Sequence, residues 1–450
     1  MPRFGKNLPG LAMQSDTRRA SRFADLLSEP LRNGVYKSKE FHGRGAKIVN
    51  MGELFGHPRL GAVDMKRVEL SSSELSRSQL RAGDLLFARR SLVAEGAGKC
   101  CLVTAVKEPT TFESSIIRAR PDAAVASSAY LFYFFASQQG RDLMRTILRQ
   151  VAVSGITGGD LAELKIPLPA IEDQNAVARV LSLLDDRIEL LHQTNSTLEN
   201  MVRAIFKSWF VDFDPVREHI VEIDPVVSAF PRFAPMFPSE FEDSALGQIP
   251  AGWRVATFGE LCLNPRSQAQ PDQLPPDTPY IGLEHMPRGS LSLFEMSTSV
   301  DLESNKSWFD RDDILFGKLR PYFHKVGLAP CKGVCSTDIL VLRPQVPNAH
   351  AFVTMHASSK AVIDYATRLS NGAKMPRTNW SDLSAFQLVL PPVELLRAFN
   401  EMTRPLFQRM RQNLAQSQTV ANFRDTLLPR IISGALHIRR AEKLAEEAMA

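Results

Sequence analysis

The clearest hydrophobic pattern in this 450-residue chain is a run of apolar positions that follows Pro169. These positions recur in alternating steps of four and three, which is typical of a helix that packs lengthwise against another helix. An equivalent run follows Pro392, but it is weaker and polar at its middle. The first run comprises Val177, Leu181, Leu184, Ile188, Leu191, Asn195, Leu198, Val202, Ile205 and Trp209. The second comprises Phe399, Thr403, Leu406, Met410, Asn413, Ser417, Val420, Arg424, Leu427 and Ile431.

Both runs carry a small polar residue at the same position, Asn195 in the first and Ser417 in the second. A buried polar residue in such a seam commonly sets register and partner choice at a cost in stability. We therefore predict that the two helices pair with each other, antiparallel, with this polar layer near their crossing. The alternative is two helices buried separately in two cores. Charged positions outside the first seam favour a long, solvated helix instead. These are Asp185, Asp186, Glu189, Glu199 and Arg203.

The chain also contains an internal repeat, which determines its architecture. GDLLFAR at 83–89 matches DDILFGK at 312–318, and IIRARP at 116–121 matches ILVLRP at 339–344. From IPLP at 166–169 and LVLP at 388–391 onward, the offset between the copies settles at 222 residues. The sequence thus predicts a tandem duplication, in which each copy is a globular part followed by a long helix.

Short runs of apolar residues punctuated by Gly and Pro predict strands in the globular parts, and two longer apolar segments predict helices. We expect an α+β fold in which two tandem globular domains are separated by two long helices that pair as an antiparallel coiled coil. The predicted strands are 85–88, 314–316, 339–342 and 387–390, and the predicted helices lie near 130–149 and 352–369. The predicted divisions are a first domain at 1–169, a central helix at 170–210, an acidic Pro-rich connector at 211–245, a second domain at 246–391, a C-terminal helix at 392–433 and a tail at 434–450.

Charge is distributed unevenly over the chain. The formal total of +5 combines a net +9 over residues 1–170 with a net −6 over residues 210–245. This distribution predicts a basic first domain and an acidic connector. No signal peptide or membrane-spanning run is apparent, so we expect a cytoplasmic protein that does not associate with membranes. Five cysteines without a CxxC pair agree with a reducing compartment, and Cys331, Cys335 and His324 lack a fourth ligand for zinc.

Enzymatic signatures are missing from the sequence. We find no phosphate-binding loop, no GxGxxG, no HExxH and no GxSxG. Asp142, Glu163 and Lys165 faintly resemble a nuclease triad, but the repeat places Ala385 and Gln387 opposite the last two. We therefore predict no catalytic residues, no metal site and no cofactor in this chain.

Basic loops follow equivalent strands in both copies. Arginine can grip phosphates or read guanine edges with two hydrogen bonds, and tyrosine and histidine can contact sugars or bases. Recurrence in both copies favours these loops as nucleic-acid contacts. The candidates are Arg89, Arg90 and Lys99 after the first strand, and Lys318, Arg320, Tyr322, His324 and Lys325 after the second.

The stretch IPLPAIEDQNAVARVLSLLDDRIELLHQTNSTLENMVRAIFKSWFVDFDPV, at 166–216, resembles the central region of type I restriction-modification specificity subunits. Residues 80–100, 249–262 and 388–400 are similar to the same family. One departure is the N-terminus, which has no counterpart of Gly252 and Trp253.

This resemblance implies that the globular domains are target recognition domains, each reading half of a bipartite site on double-stranded DNA, with the helices as a ruler. It implies catalysis in partner subunits: two methyltransferase subunits that use S-adenosylmethionine, and restriction subunits that hydrolyse ATP with Mg. A rod of roughly 55 Å would place the half-site centres on the order of 16 base pairs apart. Two rival functions remain: a non-catalytic coiled-coil scaffold whose DNA affinity is indifferent to sequence, and a free-standing nuclease with an atypical site.

Overall fold

The structure is a computed structural model that describes residues 19–91, 96–149, 154–218, 233–300, 302–370, 372 and 374–449. Contacts divide the chain into two units. The first contains Met1–Arg187 and Val420–Ala450, and the second contains Ile188–Thr419. Each long helix contributes residues to both units, so this division falls inside the helices. The domain boundaries drawn from the sequence stay a prediction.

The first unit is built around a five-stranded sheet with the strand order β2-β10-β6-β8-β4. All four residues of the central strand β6 are buried, as expected for a strand covered on both faces. Smaller sheets pair β3 with β5 and β9, β1 with β12, and β7 with β11. The strands are β1 (Arg19–Arg22), β2 (Leu27–Asn33), β3 (His42–Val49), β4 (Arg59–Leu60), β5 (Arg67–Val68), β6 (Leu85–Ala88), β7 (Arg90–Ser91), β8 (Cys100–Val103), β9 (Thr110–Phe112), β10 (Ile116–Pro121), β11 (Ser154–Gly155) and β12 (Lys165–Leu168). The short helices are Met51–Gly56, Ser72–Ser78, Ser128–Ala136, Gln138–Arg145, Gly158–Ala162 and Ile438–Met449.

The second unit contains a four-stranded sheet, β16-β24-β21-β22, and a five-stranded sheet, β17-β20-β23-β18-β19, together with the pairs β13-β14 and β15-β25. The strands are β13 (Phe241–Ser244), β14 (Gly247–Pro250), β15 (Arg254–Thr257), β16 (Cys262–Leu263), β17 (Gln268–Ala269), β18 (Pro279–Ile281), β19 (Ser297–Thr298), β20 (Lys306–Phe309), β21 (Ile314–Gly317), β22 (Val326–Leu328), β23 (Gly333–Cys335), β24 (Ile339–Pro344) and β25 (Gln387–Leu390). The short helices are Asp214–Glu218, Phe258–Leu261, His350–Ala357, Lys360–Leu369 and Trp380–Ser384.

The sequence repeat reappears as a repeated topology. Strand β6 lies between β10 and β8, and strand β21 lies between β24 and β22. Both β10 and β24 end in Arg-Pro. In each unit an arginine of that partner strand donates to a buried aspartate: Arg120 Nε to Asp84 at 2.7 Å, and Arg343 Nε to Asp313 at 2.8 Å. The two copies therefore share an ion pair as well as a strand order.

Two long helices occur where the heptad pattern predicts them, at Ile171–Lys207 with 37 residues and Val393–Ile432 with 40. The first continues as a π-helical turn, Ser208–Asp212. Every position of the two predicted seams is buried or half-buried, and every one except Arg424 is either apolar or small and polar. This confirms the periodicity. The α+β fold with two long helices is thus confirmed.

The helices run antiparallel where they meet in the second unit. Asn413 Nδ2 donates to Asn195 Oδ1 at 2.8 Å, and His192 Nε2 lies 3.0 Å from the Ser417 hydroxyl. Moving backward from 195 to 192 on one helix thus moves forward from 413 to 417 on the other. The predicted polar layer exists, but Asn195 bonds to Asn413 and Ser417 bonds to His192, rather than to each other. In the first unit, Arg424 donates to Asp185 at 2.6 Å.

Two of the predicted helices are each broken into two. The segment near 130–149 is Ser128–Ala136 followed by Gln138–Arg145, and the segment near 352–369 is His350–Ala357 followed by Lys360–Leu369. The break has the same cause in both copies. Ser137 and Ser359 adopt extended backbone angles, and their hydroxyls accept hydrogen bonds from the N–H groups of Gly140 and Val362, which caps a new helix.

The charged positions outside the first seam are not all solvated, which corrects the reasoning from sequence. Glu199 is 3% exposed and accepts hydrogen bonds from a loop of the second unit. Asp185 accepts from the Tyr133 hydroxyl at 2.7 Å and also pairs with Arg424. Asp186 pairs with Arg59. These carboxylates attach the globular parts to the helix.

Part of the predicted connector, residues 219–232, lies outside the described residues. Its end is packed rather than extended, since the rings of Phe233 and Phe237 lie 5.4 Å and 5.1 Å from that of Trp209. Within the described part of the chain, no helix has the length and apolar character needed to cross a membrane.

Candidate nucleic-acid interface

The loop after β21 in the second unit has an unusual backbone. Arg320 and His324 both have left-handed angles, with φ of 51° and 52°. Such angles cost non-glycine residues roughly 1 kcal/mol or more and cluster at functional sites. The loop is held in place because Arg320 N donates to Pro376 O at 2.7 Å and Lys318 N donates to Asp338 O at 2.9 Å.

Three of the predicted side chains of this loop are partly or largely exposed and make few side-chain hydrogen bonds to the described residues. Arg320 donates one hydrogen bond, from Nη2 to Lys374 O at 3.2 Å, while its buried Nε has no partner among the described residues. The Tyr322 ring is 51% exposed. Lys318 is half-buried. A guanidinium and a phenol on a constrained loop suit contact with phosphates, sugars and base edges.

The other two predicted side chains of the loop are directed inward. His324 Nε2 lies 2.9 Å from the Ser358 carbonyl oxygen, and Lys325 Nζ donates to the Leu283 carbonyl oxygen. Burial lowers the pKa of both His324 and Lys325, and nearby arginines lower it further. They therefore support the loop from within the protein.

Two basic residues beside this loop escaped sequence reasoning, Arg288 and Lys374. The Arg288 guanidinium lies 4.1 Å from the centre of the Phe323 ring, and Lys374 is exposed next to Arg320. They come from loops far apart in sequence, so no local spacing indicates them. Together with Arg320 and Tyr322 they form what we call the second-unit basic cluster: Arg288, Arg320, Tyr322 and Lys374.

The corresponding loop of the first unit begins at Arg89, which is half-buried, and Arg90, which is exposed on strand β7. Lys99 is engaged with its own unit: Nζ donates to Phe55 O at 3.2 Å and lies 5.2 Å from the centre of that ring. Residues 92–95 of this loop lie outside the described residues. Among the three predicted residues, Arg90 thus has the most accessible side chain.

An exposed aromatic in the first unit was also missed. Tyr36 is 85% exposed in the segment 34–45, which carries several cations. Two of these cations are paired with carboxylates, Lys37 with Glu74 and Arg44 with Glu69. The Lys37 ammonium and the Ser71 N–H hold the Glu74 pKa at about 2. The sequence signal was available, since Tyr-Lys-Ser-Lys interleaves an aromatic with cations.

The residues weighed for other chemistry have ordinary partners. Asp142 pairs with Arg145, and Glu163 pairs with Arg22. All five cysteines are free thiols. Over the described ranges, no three histidine, cysteine, aspartate or glutamate side chains are grouped so that they could hold a metal ion.

Comparison with known proteins shows which family and which proteins this chain is similar to. Residues 38–200 match the family model described as "Type I restriction modification DNA specificity domain". The type I restriction enzyme MjaIX specificity subunit of Methanocaldococcus jannaschii is 23% identical over 362 residues, which covers 78% of this chain and 79% of that one. The HindI specificity subunit of Haemophilus influenzae is 23% identical over 420 residues, which covers 80% and 88%.

A solved structure, the S subunit of the type I restriction-modification system from M. genitalium, aligns with a TM-score of 0.49 at 14% identity. The alignment covers 94% of this chain and 98% of that chain. The family match and these relatives confirm the resemblance carried by the central segment. Over residues 38–200 the chain matches the type I restriction modification DNA specificity domain, and these relatives, to which it is similar over most of its length, are specificity subunits of type I restriction enzymes.

Proposed function

We propose that this chain is the non-catalytic subunit that selects the DNA sequence for a type I restriction-modification complex. Each globular part reads one half of a bipartite site on double-stranded DNA. The observation that carries the proposal is the combination of the DNA specificity domain match over residues 38–200 with a duplicated fold whose equivalent strands lead into basic loops. This function places the chain in the cytoplasm, with the DNA that it reads.

In the second unit, the basic cluster makes the contacts. Arg320, Arg288 and Lys374 bind phosphates or guanine edges, and Tyr322 stacks on a sugar or base, while Lys318 binds a phosphate. In the first unit, Arg89, Arg90 and Lys99 have the same role, with Arg90 foremost because it is exposed. His324 and Lys325 act by shaping the loop.

Alanine substitution tests the second-unit cluster. Arg320→Ala should weaken binding of the bipartite duplex by about 1–3 kcal/mol and relax the preference at the half-site read by the second unit. Arg254→Ala is the matched control because Arg254 belongs to the same unit and is exposed but paired with Glu260. Fluorescence anisotropy across a panel of half-site variants gives both quantities. Full affinity and unchanged preference in Arg320→Ala would show that the cluster does not bind DNA.

We further propose that the paired helices set the length of the unread spacer between the half-sites. At 1.5 Å per residue, the 37-residue helix is about 55 Å long. Inserting four residues into both helices, after Asn195 and after Ser417, should change the spacer and leave both half-site sequences unchanged. Methylome sequencing of cells that express the altered chain reads this directly. An unchanged spacer would refute the ruler.

The partners in this proposal are two methyltransferase subunits that use S-adenosylmethionine, and restriction subunits that use ATP and Mg. One apolar surface suits docking of the methyltransferase. Leu190 and Met201 are 52% and 47% exposed on the part of the first long helix that belongs to the second unit. Eleven residues make about three turns, so the two side chains share one face. Leu190→Glu should reduce copurification with the methyltransferase subunit, whereas Gln193→Glu, at an exposed position on the same helix, should not.

The scaffold alternative predicts a different result in the same experiments. A scaffold would copurify with partners but bind scrambled and specific duplexes equally well. Methylome sequencing of cells with the intact complex separates the two functions, because only a sequence reader produces methylation at one bipartite motif.

A further inference from the structure

The first long helix is tied to a loop of the second unit by Glu199. Its carboxylate accepts hydrogen bonds from the N–H groups of Leu291 and Ser292, both at 3.0 Å, and from the Ser292 hydroxyl at 2.7 Å. The Ser290 hydroxyl adds a fourth at 3.0 Å. Because Glu199 is 3% exposed, these donors replace the water that a buried carboxylate requires. The loop is therefore held at one place along the helix.

Arg203, one turn further along the same helix, makes a second attachment. Its Nη2 donates to Gly289 O at 3.0 Å, and its Nη1 donates to Ser358 O at 3.5 Å. Its guanidinium also lies 3.8 Å from the Glu199 carboxylate. Glu199 and Arg203 thus form what we call the helix clamp.

The groups held by the helix clamp also hold the loop that carries Arg320 and Tyr322. His324 Nε2 hydrogen-bonds to the Ser358 carbonyl that receives Arg203, and Gly289 N donates to His324 O at 2.8 Å. Arg288 precedes Gly289 and covers the Phe323 ring. Arg203 is therefore connected to the backbone of His324 and to its ring through Gly289 and Ser358.

This connection matters because His324 has a left-handed backbone that is unfavourable for a residue with a Cβ atom. Such a conformation persists when surrounding contacts impose it, and here those contacts are anchored on the helix. The second long helix has no equivalent clamp, since the repeat places Ala421 and Asp425 opposite Glu199 and Arg203. The device is specific to the second unit.

We propose that Glu199 and Arg203 are positioning residues for DNA reading: they fix the basic loop of the second unit relative to the spacer helix. The proposal rests on the proposed function. It predicts that loss of the clamp impairs reading of the half-site assigned to the second unit and leaves the other half-site unaffected.

The test uses the full chain assembled with its methyltransferase subunits and the bipartite site defined by methylome sequencing. The variants are Glu199→Gln and Arg203→Met. The control is Arg179→Met, since Arg179 lies on the same helix, in the first unit, and pairs with Glu442 at the surface. For each protein, Kd is measured for the intact site and for duplexes substituted in one half-site or the other. The ratio of these constants is the discrimination at that half-site.

We expect discrimination at the second-unit half-site to fall about tenfold in both variants, with less than a twofold change at the other half-site and none in the control. Arg203→Lys, which keeps the charge but not the two-pronged geometry, should fall between Arg203→Met and the original chain. An equal loss at both half-sites, or no loss at either, would overturn the proposal. If Glu199→Gln does not fold, Arg203→Met carries the test. If the unsubstituted chain shows no discrimination at all, the proposed function itself fails.

Discussion

The polar layer between the long helices gives the sharpest test of how this protein is held together. Asn195 is 1% exposed and takes part in three hydrogen bonds: its Nδ2 donates to Met410 O at 3.0 Å and to Ser292 Oγ at 3.1 Å, and its Oδ1 accepts from Asn413 Nδ2 at 2.8 Å. Among the described residues, the Asn413 side chain makes only that last bond, and its own Oδ1 is buried without a partner. The two asparagines are therefore unequal.

At about 1 kcal/mol for each hydrogen bond, Asn195→Ala should lower the free energy of unfolding by about 3 kcal/mol and Asn413→Ala by about 1 kcal/mol. Adding Asn413→Ala to Asn195→Ala should then cost little, because the bond between them is already lost. The coupling in this double-mutant cycle should be about 1 kcal/mol.

Urea unfolding followed by tryptophan fluorescence measures this quantity, since the chain's four tryptophans, at 209, 253, 308 and 380, all belong to the second unit along with both asparagines. Thr197→Ala is a control, because Thr197 is exposed on the same helix and its hydroxyl bonds only to the carbonyl one turn back. Equal losses for the two asparagine variants, or a loss below 1 kcal/mol for Asn195→Ala, would refute the reasoning.

Three other predictions concern single side chains. Burial lowers the pKa of His356 to about 3. Between pH 6.5 and 3 the unfolded chain therefore binds a proton at this histidine that the folded chain does not, so acidification destabilises the second unit. At pH 5 the free energy of unfolding should be about 2 kcal/mol lower than at neutral pH. His356→Leu should remove that part of the pH dependence in tryptophan-detected unfolding, and an unaltered pH profile would contradict it. Tyr133→Phe removes the hydroxyl that donates to Asp185 and should lower the stability of the first unit by about 2 kcal/mol. Amide hydrogen exchange over 128–136 should then accelerate by about thirtyfold. Unchanged protection would show that the bond contributes nothing. Of the five cysteines only Cys331 is not buried, so Ellman's reagent should titrate one thiol in the native protein and five in urea, and fast reaction of a second native thiol would disagree with the fold.

Periodicity succeeded where one geometric rule governs a long segment. The steps of four and three predicted two helices that the structure places at Ile171–Lys207 and Val393–Ile432, within a few residues of the expected ends. The prediction of single helices from longer apolar segments failed at Ser137 and Ser359, because a hydroxyl that caps a new helix interrupts an apolar segment without changing its composition.

The basic loop illustrates a different limit. Lys318, Arg320, Tyr322, His324 and Lys325 looked equivalent in sequence because each is a polar group next to the same strand. In the structure, Tyr322 is exposed and Arg320 donates to the Lys374 carbonyl oxygen at the edge of the loop, whereas His324 and Lys325 bond to the Ser358 and Leu283 carbonyl oxygens beneath it. The direction of a side chain on a loop depends on what packs beneath it, and one sequence does not specify that packing.

By itself the sequence determined that this chain is a duplicated α+β protein with two paired helices and that it resembles a restriction-modification specificity subunit. Repeats, heptads and family motifs are patterns along the sequence, so they can be recognised without the structure. Only the tertiary structure decided which charged side chains of the helix are solvated and which bond to the globular parts. Glu199 reads as a surface residue of an amphipathic helix, yet four donors from 290–292 surround it. Those donors are about 90 residues away in sequence, and only folding brings them to the carboxylate.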